Sequence, residues 1–446
     1  MFVTLPRDVV AAAIDRASTV DGVATATLVG TERPEESVIQ VWRLRDSGRA
    51  GAPIDGDEPT DHRSAFTPPA ATLAATGSVV VGDGRDAPEP SADVDAEGPT
   101  VRIAPAPEGS ERSRETVDVD GTTWRVDIDE TDGPSSGGND SVAVVHGERD
   151  ARKRIDGLID TDALADAHVT IVGLGTVGST VAVELAKSGV GNFTLIDPDR
   201  LEIHNVVRHE CGVDDLGRSK PRAVADRIRE TNPLASIATA AVDVTERPGE
   251  LAEHVADTDL VAVCTDTEAS KLVVNRECLA ADVPAVYGGV YAGATGGDVI
   301  RVVPGETPCY DCVLGDMADD MARDERVSGE ADYGRDPDDQ PGPEPGLSVD
   351  VGFVSLIQTR YALAMLSAGA GDGDRALDRD VCFWGNEAGY IFDRPLQSRF
   401  ATVSHREDCY TCGGTGTLSV DDHQGDEPVL DSVTAVDEDP RPDRRD

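Results

Sequence analysis

The stretch His168-Val-Thr-Ile-Val-Gly-Leu-Gly-Thr-Val-Gly178 decides the fold of the second half of this 446-residue chain. Its first five residues form an apolar strand pattern, and residues 176–188 have the small and apolar side chains of a helix. Gly173, Gly175 and Gly178 therefore stand in the turn between them, where glycines permit a tight bend and expose the helix N-terminus to a phosphate. The pattern predicts a nucleotide-binding turn, without distinguishing NAD from ATP.

Strands and helices continue to alternate after this turn. Strands are predicted at 193–196, 260–263 and 285–287, with helices at 220–231 and 267–281. This alternation predicts an α/β fold, a doubly wound, mostly parallel, Rossmann-like sheet covered on both faces. Asp197 ends the second strand, where a carboxylate can hold a ribose. The alternative, glycines that serve only a close helix–strand contact, leaves Asp197 unexplained.

Further along, the pattern changes. Residues 297–303 predict a β-hairpin, and the most apolar segment, Val349 to Ala368, contains Gln358 and Arg360 and predicts a buried helix. Residues 316–347 are acidic and rich in Gly and Pro, which is typical of a mobile crossing loop. The acidic residues 413–446 predict a disordered tail.

The acidic composition of the chain indicates the solvent in which the protein works rather than the molecule that it binds. The chain has 85 acidic and 40 basic residues, a net charge of −45, and only four lysines. Hydrated carboxylates keep a protein soluble at high salt, where screening weakens their repulsion, so we interpret this as a halophile's protein. The charge argues against nucleic-acid binding. With no signal-peptide pattern and no long apolar run, we expect a cytoplasmic protein without membrane contact.

Four of the eight cysteines form two Cys-x-x-Cys pairs, Cys309/Cys312 and Cys409/Cys412. Four thiolates complete a tetrahedral zinc site with no open position, which is the structural pattern, and a reducing cytoplasm disfavours disulfides. The alternative is four unliganded thiols. Of the other cysteines, we interpret Cys264, Cys278 and Cys382 as small core residues, and Cys211 as a loop thiol and a weak candidate nucleophile.

Five short motifs spread along the α/β region carry a family resemblance. They are Leu195-Ile-Asp197-Pro-Asp199, Asn205-Val-Val-Arg208-His209, Gly217-Arg-Ser-Lys220, Asn232-Pro233 and Cys264-Thr-Asp266. Together they resemble the ThiF/MoeB/HesA family, prokaryotic relatives of ubiquitin-activating E1 enzymes, here of haloarchaeal type. The resemblance runs from Arg149 to Cys412.

The resemblance implies an activity. Members of this family adenylate the C-terminal glycine of a small ubiquitin-like or sulfur-carrier protein with ATP and Mg²⁺. It also implies a homodimer and a partner protein that ends in Gly-Gly. The next step would be either sulfur transfer, with a sulfurtransferase as a further partner, or protein conjugation. Relatives that form a thioester place that cysteine in the crossing loop, and residues 316–347 contain none, so we expect adenylation without a loop thioester.

The resemblance also assigns residues. Gly173, Gly175 and Gly178 line the nucleotide, Asp197 holds its ribose, and Asp199 is a further nucleotide-binding residue. Asn205 and Arg208 match the asparagine and arginine near the phosphates, Lys220 the lysine that neutralises them, and Asp266 the aspartate associated with Mg²⁺. Arg152 matches an arginine that reaches the neighbouring subunit's ATP site. His209 stands where the family usually has glutamine.

The chemistry independently requires these residue types. Attack of a carboxylate on the α-phosphate brings anions together, so the site needs cationic side chains and a metal held by carboxylate. Each residue also has a structural alternative: Arg208 as a surface ion-pair partner, Asp266 as a helix N-cap, and Lys220 as a solvated side chain.

We therefore predict three regions: an N-terminal α+β domain at 1–147, an adenylation domain with a zinc knuckle at 148–412, and the tail. Related enzymes are sometimes fused to JAMM-type zinc isopeptidases, but the first 150 residues contain only His62 and His146 and no His-x-His pair. We interpret this domain as a degenerate one that docks a partner. Two alternatives to the enzyme remain: a non-enzymatic pseudo-E1 scaffold that binds nucleotide and zinc, and an NAD-dependent oxidoreductase.

Overall fold

The structure is a computed structural model. It describes residues 2–19, 24–33, 38–46, 62–63, 74–81, 100–106, 116–119, 122–129, 142–146, 151–316, 345–367, 379–389 and 391–419. The chain divides into two compact units, Met1–Asp156 and Gly157–Asp446. The domain boundary after residue 147 stays a prediction, and most of the predicted crossing loop lies outside the described residues.

The first unit is a mixed β-sheet with one long helix. Its described strands are β1 (Phe2–Pro6), β2 (Ala24–Arg33), β3 (Val38–Asp46), β4 (His62–Arg63), β5 (Ala74–Val81), β6 (Thr100–Pro105), β7 (Thr116–Val119), β8 (Thr122–Asp129) and β9 (Val142–His146). They pair in the order β7-β8-β6-β5-β2-β3-β1-β9, with β4 beside β3. The helix, α1 (Arg7–Thr19), buries Val9, Val10, Ala13 and Ile14 in the core of this unit.

One expectation for this unit is wrong. The Pro-, Asp-, Glu- and Ser-rich sequence of residues 84–113 predicts a loose loop, but β6 lies within them and pairs with β5 in parallel and with β8 antiparallel. Val101 and Ile103 are buried on it. Asp120-Gly121, flanked by alternating Val, Trp and Val, predicts a hairpin over residues 116–127. Strands β7 and β8 pair antiparallel, as this predicts, and the turn itself lies outside the described residues.

The second unit is built on a sheet of eight described strands. They are β10 (His168–Val172), β11 (Asn192–Ile196), β12 (Ser236–Ala240), β13 (Leu260–Val263), β14 (Ala285–Val290), β15 (Gly296–Val302), β16 (Val381–Gly385) and β17 (Gln397–Ala401). The order is β12-β11-β10-β13-β14-β15-β16-β17. The first five strands are parallel and the last three antiparallel, so the carboxyl ends of β10, β11 and β13 meet at one edge.

Helices cover both faces of this sheet, as the alternating pattern predicts. They are α2 (Thr161–Asp166), α3 (Thr176–Lys187), α4 (Lys220–Thr231), α5 (Pro248–Val255), α6 (Glu268–Ala281) and α7 (Ser348–Leu366), with short 3₁₀ turns at Val213–Asp215 and Ala292–Ala294. Successive strand residues serve different cores: Ile171 packs with α3, α4 and α7, whereas Val172 packs with α5 and α6. The doubly wound fold is thereby confirmed.

Helix α7 is the buried helix expected near residues 349–368. Within the described part of the chain it is the one helix long and apolar enough to cross a membrane by length and composition. It packs against the sheet: the amide of Gln358, which is fully buried, donates to the carbonyls of Val263 (3.0 Å) and Val286 (2.9 Å). A polar side chain satisfied by strand backbone is typical of a core helix.

Two further expectations need correction. The predicted hairpin at 297–303 is a single strand, β15, because its partners are β14 and β16 rather than a neighbouring segment. The predicted tail begins later than residue 413, since the Gly305 N–H donates to the Gly416 carbonyl (3.0 Å). Gly413, Gly414 and Gly416 all have positive φ and turn the chain back. Residues 420–446 lie outside the described residues.

Candidate functional site

The glycine turn at the carboxyl edge of the sheet is shaped by close backbone approach. Gly173 has φ +87°, and a Cβ there would lie 2.8 Å from the Cys264 backbone; a Cβ on Gly178 would lie 1.8 Å from the Gly173 oxygen. Both positions therefore require glycine for the fold alone. Gly175 differs, because a Cβ there meets nothing within 4 Å and its φ is −72°.

Gly175 is also the N-cap of α3, and no side chain caps this helix. An uncapped helix N-terminus presents backbone N–H groups and a positive dipole end, which suit an anion. The open space at Gly175 and the uncapped helix thus fit a phosphate group lying against the turn.

Asp197 fixes the turn from the end of β11. It is 5% exposed, and its Oδ2 accepts from the Leu174 N–H (2.6 Å) while its Oδ1 accepts from the Asp199 N–H (2.8 Å). Two backbone donors fix the orientation of this carboxylate. Its predicted contact with a ribose stays a prediction.

Lys220 joins this group from the start of α4. Its Nζ lies 2.7 Å from Asp199 Oδ2 and 3.7 Å from Asp197 Oδ1, and its backbone N–H donates to the Asp199 carbonyl (3.0 Å). The residue is 8% exposed, so the alternative of a solvated lysine is wrong. The structure brings Asp197, Asp199 and Lys220 together beside the glycine turn.

Asn205 and Arg208 lie in the loop before α4. The Asn205 side chain accepts from the Glu202 N–H (2.9 Å), and its carbonyl accepts from the Arg208 N–H (3.0 Å). The Arg208 guanidinium reaches toward Gly346, since a Cβ there would lie 3.6 Å from Arg208 Nη1. The convergence of Arg208 and Lys220 on one ligand stays a prediction.

Asp266 follows β13, two residues after Cys264, whose backbone touches Gly173. Its carboxylate is exposed and forms no hydrogen bond or ion pair with another described residue. The N-cap of α6 is Thr267, whose hydroxyl accepts from the Ser270 N–H (3.3 Å). The alternative of Asp266 as N-cap is therefore wrong, and this edge carboxylate is available to a ligand.

His209 stands where the family usually has glutamine. It connects the loop before α4 to the glycine turn by hydrogen bonds. Its Nδ1 accepts from the Cys211 N–H (3.0 Å), so Nε2 carries the proton and donates to the Leu174 carbonyl (2.8 Å). Burial lowers the pKa of His209. Burial also raises the pKa of Cys211 to about 12, and this thiol is 1% exposed. Cys211 is therefore wrong as a candidate nucleophile, because it is neither accessible nor ionised.

A second buried lysine, Lys271 on α6, is not among the predicted site residues. Its Nζ lies 3.3 Å from Glu268 Oε1, while Glu268 Oε2 accepts from the Tyr310 hydroxyl (2.6 Å). Lys271 also lies near Asp298. Burial raises the pKa of the Asp298 carboxyl to about 6, although the positive charge of Lys271 acts to lower it. Lys271 is one of only four lysines in the chain and lies five residues after Asp266, and this is the sequence signal that could have identified it.

The two Cys-x-x-Cys pairs form one buried cluster. The four Sγ atoms of Cys309, Cys312, Cys409 and Cys412 lie within 4.8 Å of one another, with 3.6 Å between Cys309 and Cys409 and 3.5 Å between Cys312 and Cys412. Tetrahedral zinc with Zn–S near 2.3 Å places its sulfurs about 3.8 Å apart. The donor set therefore fits a closed zinc site.

The surroundings of the cluster suit a structural metal. Asp311 Oδ2 accepts from the Thr411 N–H (3.2 Å) and hydroxyl (2.9 Å), which ties one pair to the other. The Arg406 N–H donates to Cys312 Sγ (3.5 Å). Cross-links of this kind orient metal ligands. The cluster joins the segment after β15 to the segment after β17.

Arg152 belongs to the first unit, where its carbonyl accepts from the Ile155 N–H (2.9 Å). Its proposed contact with a neighbouring subunit stays a prediction.

The ThiF family model matches residues 148–375, about half of the chain. The chain belongs to the ThiF family. Within it, the molybdopterin-synthase adenylyltransferase of Escherichia coli K12 is 37% identical over 153 residues, which span 34% of this chain and 60% of that protein. The SAMP-activating enzyme E1 of Haloferax volcanii is 27% identical over 273 residues, 58% of this chain and 85% of that protein.

Another relative aligns over a smaller part of its own length. The sulfur carrier protein ThiS adenylyltransferase of Bacillus subtilis is 30% identical over 34% of this chain and 45% of its own length. The chain thus spans only about half the length of several curated relatives. The solved structure of E. coli MccB with ATP aligns at 21% identity and a TM-score of 0.43, covering 57% of this chain and 68% of MccB.

Proposed function

We propose that this protein adenylates the C-terminal glycine carboxylate of a small ubiquitin-like or sulfur-carrier protein, using ATP and releasing pyrophosphate. One observation carries the proposal: Lys220 is buried against Asp197 and Asp199, directly beside an uncapped helix N-terminus. The relatives named above are adenylyltransferases and E1-type activating enzymes.

In the proposed reaction, a carboxylate oxygen of the carrier attacks the α-phosphorus of ATP. A new acyl–O–P bond forms, the bond between the α-phosphorus and the bridging oxygen breaks, and pyrophosphate leaves with the electron pair. No side chain becomes covalently bound, so the protein contributes alignment and charge stabilisation. The acyl-adenylate then supplies sulfur transfer or conjugation.

The residues divide this work by position. The N-terminus of α3 and the space at Gly175 receive phosphate, and Asp197 and Asp199 face the ribose. Lys220 and Arg208 offset the charge of the phosphates, with Asn205 beside them. Mg²⁺, which Asp266 would hold, supplies further positive charge. Zinc in the cysteine cluster, with four thiolates and no open position, holds structure and takes no part in the reaction.

The partner follows from the same chemistry. A carrier must present an unprotected C-terminal carboxylate on a thin tail, and relatives are named for ThiS, for SAMP and for molybdopterin synthase. A homodimer in which Arg152 completes the site, a sulfurtransferase partner, and a halophilic, cytoplasmic setting stay predictions. An NAD-dependent oxidoreductase gives no role to Lys220 or the cysteine cluster.

The test is carrier-dependent exchange of labelled pyrophosphate into ATP, measured at high salt. We expect Lys220→Ala and Asp266→Ala to lower exchange about a hundred- to thousandfold, because each removes charge that offsets the transition state. Lys187→Ala is the matched control: this lysine is half-exposed on α3 and pairs with Glu184. It should leave exchange unchanged.

Two outcomes contradict the proposal. Exchange that survives in Lys220→Ala would remove the lysine from the reaction. ATP binding without exchange, with every small Gly-Gly-ended protein from the same cell, would favour the pseudo-E1 scaffold.

A further inference from the structure

Tyr310 lies between the first two cysteines of the cluster and is 4% exposed. Its ring stacks on Tyr287 of β14, with centroids 4.5 Å apart and an interplanar angle of 23°. This side chain therefore points from the cysteine cluster into the sheet.

Tyr310 is bonded to α6 at two places. Its backbone N–H donates to Asn275 Oδ1 (3.0 Å) in the middle of the helix, and its hydroxyl donates to Glu268 Oε2 (2.6 Å) at the first residue. Asn275 is fully buried. Hydrogen bonds to a buried amide and to a carboxylate are among the stronger ones in proteins, so Tyr310 fixes the position of this helix.

Asp266 lies in the short segment between β13 and α6, which ends where α6 begins. Glu268 follows Asp266 by two residues, and its second oxygen lies 3.3 Å from Lys271 Nζ. On the other side, Cys264 lies against Gly173. The short segment that carries Asp266 is thus held between the glycine turn and Tyr310.

The second cysteine pair provides a comparison. Tyr410 follows Cys409 just as Tyr310 follows Cys309, but it is 57% exposed. A Cys-x-x-Cys turn in this cluster therefore forms without a buried tyrosine. The geometry of the metal-binding turn therefore does not explain why Tyr310 is buried and bonded to α6.

We propose that Tyr310 is a positioning residue that couples the cysteine cluster to the Mg²⁺-binding carboxylate Asp266 through Glu268. This inference rests on the proposed function, because it concerns the same nucleotide site. With zinc bound, the cluster is rigid and Tyr310 holds the first turn of α6 in place. Without the tyrosine hydroxyl, Glu268 keeps one of its two contacts with described residues, the one with Lys271, and Asp266 loses its fixed position.

The test uses Tyr310→Phe in the full-length, zinc-loaded protein. ATP binding is measured by calorimetry at increasing Mg²⁺ concentration. We expect the Mg²⁺ concentration at half-maximal binding to rise roughly tenfold, within the usual range for coupling between sites. ATP binding without Mg²⁺ should be unchanged, a distinction that a merely structural loss would not produce. Tyr410→Phe is the matched control and should not shift the midpoint.

The outcomes are separable. If the wild-type protein binds no ATP at any Mg²⁺ concentration, the proposed function itself fails. If wild type binds in a Mg²⁺-dependent way and a folded, zinc-loaded Tyr310→Phe shows the same midpoint, only the inference is overturned. If Tyr310→Phe loses zinc or unfolds, Glu268→Gln decides: a similar shift supports the coupling, and an unchanged midpoint overturns it.

Discussion

The carboxyl edge of the parallel strands and the cysteine cluster both bring together distant parts of the chain, but they leave different groups accessible. At the edge, the Asp199 side chain is 64% exposed, Asp266 is exposed and Gly175 faces open space. In the cluster, all four cysteines are 8% exposed or less and pack in an apolar core.

This difference separates chemistry from stability. A site that receives a polar ligand must leave some charged groups accessible, as Asp199 and Asp266 are here. Backbone approach, rather than side-chain packing, shapes the glycine turn. A closed thiolate site has no position for a substrate, so its metal contributes to folding. Substitutions in the two regions should therefore have different signatures.

The largest effect is expected from a substitution in the cysteine cluster. Cys412→Ser removes one of four ligands and leaves a buried hydroxyl among thiols, so it should abolish stoichiometric zinc binding and lower the free energy of unfolding by more than about 4 kcal/mol. Denaturant unfolding and the zinc released on denaturation measure both quantities.

Cys382→Ala is the control for this substitution. Cys382 is also buried, 2% exposed, on β16, but lies outside the cluster. It should keep its zinc and lose only about 1 kcal/mol. A wild-type protein that contains no zinc, together with equal losses of stability in the two variants, would show that the four thiols stabilise the fold without a metal.

The next effect concerns the glycine turn. Gly178→Ala places a Cβ 1.8 Å from the Gly173 oxygen, so the turn must shift and the free energy of unfolding should fall by about 3 kcal/mol or more. Gly175→Ala meets nothing within 4 Å. It should change stability by less than about 1 kcal/mol while weakening ATP binding, because the methyl group occupies the space assigned to phosphate.

Calorimetric ATP titration and denaturant unfolding of the two variants distinguish these effects. A Gly175→Ala protein that binds ATP as wild type does would contradict the placement of phosphate at this turn. A stable Gly178→Ala protein would contradict the close approach of α3 to the turn.

Much of the parallel region could be predicted from sequence, for local reasons. Strands β10 and β13 are short apolar runs, and α4 begins at Lys220 with a proline beside it, so their predicted bounds match. The edge strand β12 was missed because its sequence, Ser-Ile-Ala-Thr-Ala, is half-exposed without apolar alternation. Helix α5 was missed because it is short, eight residues.

Other features depend on distant contacts that a sequence does not display. Strand β6 is stabilised by pairing with β5 and β8, and its Pro- and Asp-rich flanks resemble a loop. The burial of Lys271 depends on Glu268 and on Tyr310 from the cysteine cluster. The four cysteines could be grouped from spacing alone, because Cys-x-x-Cys pairs are a local signal.

The smallest effect concerns His209, which connects the loop before α4 to the glycine turn. Burial lowers its folded-state pKa, whereas the unfolded value is about 6.5. Its contribution to stability is therefore fully present above about pH 6.5 and is lost as pH falls toward the folded pKa, since the unfolded state then binds more protons. The slope from this one group is at most about 1.4 kcal/mol per pH unit.

His209→Gln isolates this contribution. Glutamine can donate to the Leu174 carbonyl and accept from the Cys211 N–H without titrating, so the fold should persist. We expect the difference in unfolding free energy between wild type and variant to be constant well above pH 6.5 and to change in favour of the variant as the pH falls below about 6.5. Carboxylate titrations cancel in this difference. A difference independent of pH would mean that His209 is protonated with equal ease in the folded and unfolded protein, and that the turn is more open than its hydrogen bonds indicate.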